Sequence, residues 1–341
     1  MSTYLIIDAA NLFHKSKYVV KGDASTKIGM AILIMFNSVK KAWETFNADH
    51  IVFAFEGRSW RKDFYKEYKQ QRMELKALMT ASEQEETELF WETFEDYKNY
   101  ITSHTNCTCL HHPCLEADDL IAGFVQTHPN DTNIIISSDS DFIQLVSDNT
   151  KIYNSLQDVV ISKDGVTDMK GNNMAFIIDS NAKLKIKQPD KEFKPDENWV
   201  EWYLFLKCMR GDKSDWIFSA YPGVRLKSSK KSTGLIEAFA DRDNKGYAWN
   251  NVMLQTWKDH NEEQHRVLDM YERNKRLIDL SYQPDHVKNY ITSTLTDQCI
   301  KKAVSQVGVY LLKFIASYDI KTIEQNVTRY ADQYNAKYPS Q

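Results

Sequence analysis

The chain has 341 residues with 42% hydrophobic and 12% aromatic content, ordinary for a globular protein and enough for two lobes. No apolar stretch reaches the about 20 residues of a membrane span, YLII is too short for a signal peptide, and five cysteines suit a reducing cytoplasm better than a disulfide scaffold. The formal charge of −4 excludes no class of partner, because the charge is segregated along the chain.

YLIID reads as a short apolar strand closed by Asp8, and GMAILIMFNSVKKAWETF has helical periodicity. IVFAFE is a second strand, ending in Glu56. Residues 60–76, WRKDFYKEYKQQRMELK, predict a helix with Trp60, Phe64 and Tyr68 at i, i+4, i+8 and Lys62, Lys66, Lys69 and Lys76 on a basic face. The basic run also holds Arg58, Arg61 and Arg72, and the strongly acidic TASEQEETELFWETFEDY follows it. In the next helical segment Phe90 or Trp91, Phe94, Tyr97 and Ile101 make a core stripe. SHTNCTCLHHPC offers His and Cys but lacks paired C-x2-C knuckles, so it reads better as a connecting strand than as a zinc site.

EADDLIAGFV is a helix opened by Glu116, Asp118 and Asp119. TNIIISSD is a third strand, followed by Asp139 and Asp141, and TKIYNSL is a fourth. Strands alternating with helices predict an α/β fold with a mainly parallel sheet flanked by helices. Residues 157–197 read as hairpins ending in a linker near Pro189–Pro195. From NWVEWYLFLKCM onward the pattern is almost wholly helical. The expected organisation is therefore 1–197 for the α/β domain and 198–341 for a helical lobe. That lobe opens with CMRGDKSDW, carrying Asp212 and Asp215 within a second basic stretch at 207–231.

Any one of these acids alone is simply explained as a solvated loop residue or a helix N-terminus favoured by the dipole. Gathered together they repel, and a cleft holding them needs cations. Carboxylates without thiolates or imidazoles suit hard Mg²⁺ or Mn²⁺. Two such ions about 3.5–4 Å apart are the usual apparatus for phosphodiester cleavage. The two basic stretches suggest phosphate contacts, and an aromatic ring beside them could stack on an unpaired base.

The motifs YLIIDAANL, FAFEGRSWRKDFYKEYKQQR, LEADDLIAGF, IIISSDSDFIQL and KCMRGDKSD follow the order of the 5′-nuclease superfamily of flap endonucleases and 5′→3′ exonucleases. The chain resembles that superfamily from about residue 4 to residue 290. NKRLIDLSYQPD is similar to the T-even bacteriophage ribonuclease H branch in particular. The resemblance implies a PIN-like nuclease domain and a duplex-binding helical lobe. It implies a first metal group of Asp8, Glu56, Glu116, Asp118 and Asp139, and a second of Asp141, Asp212 and Asp215, with Asp119 assisting. The implied cofactor is two Mg²⁺ ions, with Mn²⁺ substituting.

The family's arch motif corresponds to Tyr68, Lys69 and Arg72. Lys69 and Arg72 would then act on the scissile phosphate and Tyr68 would stack. Arg61, Lys62 and Lys66 would bind substrate beside them, and Lys227, Lys230 and Lys231 would bind duplex phosphates. Implied substrates are 5′-flapped, nicked or RNA-primed duplex DNA. A single-stranded-DNA-binding protein and a sliding clamp are the implied partners of a monomer working in the cytoplasm, the host's if the chain is of phage origin.

Three positions depart from the family pattern. Glu56 stands where Asp is usual, and Trp216 where Asn commonly follows GDKSD; YPGVRLKSSKKSTGLIEAF keeps Gly223 but not the Gly-x-Gly turn of a potassium-binding hairpin. The tail TRYADQYNAKYPSQ shows no docking motif and reads as solvated. The rival readings are a PIN-type ribonuclease and a non-catalytic DNA-junction binder.

Overall fold

Runs such as YLII and NIII leave no polar face for water, so they form strands buried on both sides. The computed structural model describes residues 1–17 and 23–339 and divides into two units. Unit 1 takes Met1–Trp60, Leu75–Lys163 and Asp285–Gln341; unit 2 takes Arg61–Glu74 and Asp164–Pro284.

In unit 1 the strands are β1 (Thr3–Asp8), β2 (His50–Ala54), β3 (Thr108–Leu110), β4 (Thr132–Ile136), β5 (Thr150–Asn154) and β6 (Val159–Ser162). They lie in the order β3-β2-β1-β4-β5-β6. Every pairing from β3 to β5 is parallel, and β6 runs antiparallel to β5. The register sets Asp8 beside Ala54 and Ile7 beside Ile136. The chain therefore leaves β1, β2 and β4 at one end of the sheet, where ligands of such sheets bind.

Helices supply the crossovers. Ala24–Phe46 is capped by Asp23, whose carboxylate accepts the Thr26 N–H. Ala81–His104 begins with a Thr80/Glu83 capping box and buries Phe90, Phe94, Tyr97 and Ile101, the expected core stripe. Ala117–Thr127 buries nearly its whole length, including Gly123. A Cβ on Gly123 would stand 2.2 Å from Ile291 Cγ2, so glycine permits close approach of the helix Asp285–Gln298.

That approach explains why the division differs from the expected boundary at 197/198. Residues 285–341 return to unit 1, and 164–197 belong with unit 2. The tail also differs from a solvated one: Val327–Asn335 is a helix, with Tyr330, Ala331, Tyr334 and Tyr338 buried. Asn106 fastens it by donating to the Asn335 carbonyl. The tail's last two residues lie outside the described residues.

Unit 2 opens its later segment with an antiparallel meander, β7 (Gly165–Asp168), β8 (Asn173–Ile178) and β9 (Leu184–Pro189), as the hairpin reading of this stretch expects. Helices Trp199–Arg210, Leu235–Ala240, Tyr247–Met253 and Val267–Ile278 follow, interrupted by an antiparallel pair, Thr256–Lys258 with Gln264–Arg266. Their core gathers Phe205, Leu206, Met209, Leu235, Val252 and Leu277 around Tyr65 and Tyr68.

The segment expected as one helix at 60–76 is broken. Helices cover Arg61–Phe64 and Gln70–Ala77, and Lys69 between them has φ 56°. The Lys69 N–H donates to the Asp215 carbonyl at 2.9 Å rather than to Tyr65, so a long-range bond replaces the helical one. Phe64, on the aromatic side of the expected helix, is exposed.

Candidate active site

Asp8 closes β1 and is 4% exposed. Its Oδ1 accepts the Asn11 N–H at 3.1 Å, as an acid capping the helix Ala9–Lys17 does, and its Oδ2 accepts the Ser137 hydroxyl at 2.9 Å. Burial, then the charges of Glu56 and Asp139, push its carboxyl up to about 7 against the lowering effect of those hydrogen bonds. Three acids leaving three neighbouring strands thus act on one another.

Loop contacts hold each in place. Ser137 also accepts the Asp139 N–H, and Asp139 Oδ1 accepts the Asp141 N–H at 3.0 Å, starting the 3-10 turn Ser140–Leu145. Asn11 Oδ1 accepts from both the N–H and the hydroxyl of Ser138. Past Glu56, the Gly57 N–H donates to the Leu115 carbonyl. A Cβ on Gly57 would lie 2.1 Å from the His112 carbonyl oxygen, so only glycine permits this close approach. Glu56 Oε2 in turn accepts the Ala117 N–H at 3.1 Å, at the start of the helix that carries the EADD acids.

Glu116 is buried and takes a 2.5 Å hydrogen bond from the Ser59 hydroxyl. Asp118 is half-buried in the first turn. Asp119 is fully buried; its Oδ2 accepts from Trp60 Nε1 at 3.2 Å and from the Glu116 N–H at 3.3 Å. That places Asp119 in support of Glu116. Unit 1 therefore brings Asp8, Glu56, Glu116, Asp118, Asp139 and Asp141 to its strand ends and adjoining turns. The donor set is carboxylate, with Asp8 raised by burial and then by its acidic neighbours, and it fits hard divalent cations.

Unit 2 holds the remaining two acids, each with a cation already beside it. Asp212 Oδ2 lies 3.0 Å from Lys207 Nζ, and its Oδ1 accepts the Ser214 N–H at 2.7 Å. Burial works to raise the Asp212 carboxyl, but Lys207 and Ser214 bring it down to about 2. Asp215 accepts from the Tyr68 hydroxyl at 3.0 Å and from Arg72 Nη2 at 2.7 Å, with Lys69 Nζ at 3.8 Å. The turn between these acids closes on itself through paired Asp212 and Ile217 backbones and sets Trp216 at φ 57°. Left-handed backbone favours Gly or Asn, and here it is held by Trp216.

Two substrate-binding expectations change. Arg61 is buried, its Nε donating to the Leu277 carbonyl at 2.8 Å, so its charge ties unit 2 together. The Tyr68 ring packs in the unit 2 core, where it cannot stack on a base. Lys62 and Lys66 are exposed, as are Lys227, Lys230 and Lys231, whose loop folds through a tight Ser229–Ser232 turn. Asn11, Ser59, Ser137 and Lys207 are the supporting residues that sequence reasoning missed. All four sit inside the quoted motifs, and that position is the signal that could have found them.

Of the His and Cys residues at 104–114, His104 stacks on Tyr310, His112 stacks on Tyr290, and Cys107 is buried. Elsewhere, among the described residues, donor atoms of Asp259, Glu263 and His265 lie within 4.8 Å of one another. There Asp259 caps its own hairpin turn, accepting the Asn261 and Glu263 N–H groups. No helix of the described residues is long and apolar enough to cross a membrane.

Residues 3–171 match the family described as 5′-3′ exonuclease, N-terminal resolvase-like domain. A 5′-3′ exonuclease of Mycoplasmopsis pulmonis is 28% identical over 197 residues, covering 53% of this chain and 61% of that protein. Flap endonuclease Xni of Aeromonas hydrophila is 32% identical over 151 residues, 42% of this chain and 51% of that protein. The chain thus spans about three-fifths or less of these curated relatives. In fold it is similar to the bacteriophage T5 5′-exonuclease with bound zinc, at a TM-score of 0.56 and 18% identity over 97% of this chain and all of that one. A complex of the T5 flap endonuclease with DNA and metal ions gives a TM-score of 0.54, again at 18% identity over 97% of this chain and all of that one.

Proposed function

The chain belongs to the 5′-nuclease superfamily through its domain at residues 3–171, and from that premise we propose that it hydrolyses phosphodiester bonds near 5′ ends of duplexes and flaps. The observation that carries the reading is Asp8, a carboxyl buried at the end of β1 between the strands that lead to Glu56 and Asp139, whose charges act on it. Such a group releases its proton readily when a cation arrives.

Asp8, Glu56, Glu116, Asp118, Asp139 and Asp141 would hold the ions, Mg²⁺ in the first instance and Mn²⁺ as a substitute. When bound, the ions supply Lewis-acid stabilisation of the charge that develops during an in-line displacement at phosphorus. The chain's own residues do the rest. Asn11 and Ser137 keep Asp8 and Asp139 oriented. Lys69 and Arg72 would neutralise the scissile phosphate, and Lys62 and Lys66 would hold the strand that leads to it. Lys227, Lys230 and Lys231 would contact duplex phosphates without reading bases, so affinity should fall steeply with salt.

The finer reading is removal of RNA primers and 5′ flaps during replication, including ribonuclease H action on RNA–DNA duplexes. A single-stranded-DNA-binding protein and a sliding clamp are the partner classes that go with it. The protein would act as a cytoplasmic monomer.

The test is a 5′-labelled flap duplex and an RNA-primed duplex, each with Mg²⁺ or EDTA. Magnesium-dependent release of short 5′ products supports the proposal, and product length separates flap cutting from exonuclease action. Binding without cleavage across several divalent metals would replace it with a junction-binding protein.

A further inference from the structure

The meander of unit 2 ends on a strand whose outward side is a row of lysines. Ala182 is buried and Leu184 and Ile186 are half-buried, whereas Lys183, Lys185 and Lys187 between and beyond them are exposed. Alternate residues of a strand share a face, so the three cations follow one another at intervals of about 6.7 Å. The opposite side packs inward. Phe176 of β8 stands opposite Ile186, and its ring centroid lies 5.0 Å from that of Trp199 and 5.1 Å from that of Phe193. Beside the lysines β8 presents Ile177, paired with Lys185 and exposed.

Aspartates of the same stretch are engaged in its turns. Asp168 accepts the N–H groups of Lys170 and Asn172, Asp179 those of Asn181 and Lys183, and Asp190 that of Glu192. Lys185 also pairs with Asp179 at 2.9 Å, yet its side chain stays 59% exposed. From this row we infer a second contact for the phosphate backbone of duplex DNA, additional to the one proposed at Lys227, Lys230 and Lys231 and resting on the same nuclease reading. One strand of B-DNA carries a phosphate for about every 3.4 Å of its axis. Lys183 to Lys187 spans about 13 Å, the rise of about four nucleotides. A single strand fits less well, because it is held by rings on which its bases stack. The one ring of β8 and β9 is Phe176, which faces the core. Contacts to phosphate alone carry no sequence information.

The test is binding without cleavage, on a blunt duplex in EDTA over a series of salt concentrations. Lys183→Ala, Lys185→Ala and Lys187→Ala together should lower the slope of log affinity against log salt by about 3, one for each phosphate contact. Two duplexes of unrelated sequence should be weakened alike. Tm should hold, because all three side chains are exposed. Lys185→Ala leaves Asp179 without its cation, so Lys183→Ala plus Lys187→Ala serves as the second variant, with an expected fall in slope of about 2. A wild-type slope in both variants overturns the inference. If the variants then also self-associate, the lysines guard an edge strand against other chains.

Chemical protection reads the same contact directly. Acetylation of the wild type, followed by mass spectrometry, should be slowed at Lys183 and Lys187 by the duplex and far less by an oligothymidine single strand. Equal protection by both would overturn the choice of duplex, and protection by neither would overturn the row itself. The two proposals fail separately. A wild type that binds duplex through the row but cleaves no flap with any divalent metal overturns the proposed nuclease function alone. One that cleaves flaps while both variants keep its salt slope overturns the lysine contact alone.

Discussion

The acids of the two units are the same residue type in opposite electrical states. In unit 1, Asp8 faces two more carboxylates and is pushed up to about 7. In unit 2, Asp212 faces Lys207 and is pulled down to about 2. Asp8 is buried and Asp212 half-buried, and burial acts to raise both carboxyls, so burial is not what gives them opposite shifts. The sign of the nearest charge is. Like charges gathered together favour an incoming cation, whereas an acid beside a lysine has its charge met within the chain.

The largest effect should come from breaking the unit 1 cluster. Asp139→Asn removes one of the charges acting on Asp8 and is expected to lower kcat/KM by about 10³-fold, the worth of several kcal/mol of metal-derived stabilisation. Folding should be unharmed, since a repulsive charge is lost. A fall in Tm equal to that of an ordinary core variant would show that Asp139 is there for structure.

In unit 2 the same kind of change should act on stability. Lys207→Ala strands Asp212 beside a buried wall, and breaking such a pair costs about 3–5 kcal/mol. Urea unfolding would read it as a lower midpoint at constant slope. Adding Asp212→Asn to Lys207→Ala should recover much of the loss, because the unpaired charge is then gone. An unchanged midpoint in Lys207→Ala would erase the contrast between the units.

The contrast has a pH signature in metal-free protein. Asp8 holds its proton to about pH 7 when folded but loses it at an ordinary 3.8 when unfolded. Between those values the unfolded chain binds fewer protons, so the contribution of Asp8 to stability falls as pH rises toward 7. Asp212 runs the other way: its contribution is present above 3.8 and is lost as pH falls toward 2. Tm measured in EDTA should therefore drop from pH 5 to pH 8, and Asp8→Asn should shrink the drop. An equal drop in the variant would move the cause elsewhere.

Much of unit 1 was legible in the sequence because its strands are continuous apolar runs and an acid follows each one that matters. Asp8, Glu56 and Asp139 needed only the rule that parallel sheets bind ligands at their strand ends. What stayed hidden depended on distant partners. Trp60, Phe64 and Tyr68 have helical spacing, but the Lys69 N–H bonds to Asp215 and the helix breaks. Arg61 counts as one more charge in a basic run until Leu277 supplies a buried acceptor. The return of 285–341 to unit 1 turns on Ile291 fitting against Gly123, which no local pattern announces.

Gly57 carries the smallest predicted effect and the sharpest test of how unit 1 keeps its acids together. It follows Glu56 directly, and its missing side chain lets the loop lie against the carbonyls of His112 and Leu115, 2.1 and 2.7 Å from where a Cβ would stand. Those atoms are backbone, so they cannot swing aside as a side-chain tip would. Gly57→Ala should cost about 1–3 kcal/mol, the usual range for overpacking. It should also draw Glu56 away from the Ala117 N–H and weaken Mg²⁺ binding measured by calorimetry. Lost stability with unaltered Mg²⁺ binding would show that Glu56 reaches the cluster without its loop, and that the longer side chain at this position makes good the distance.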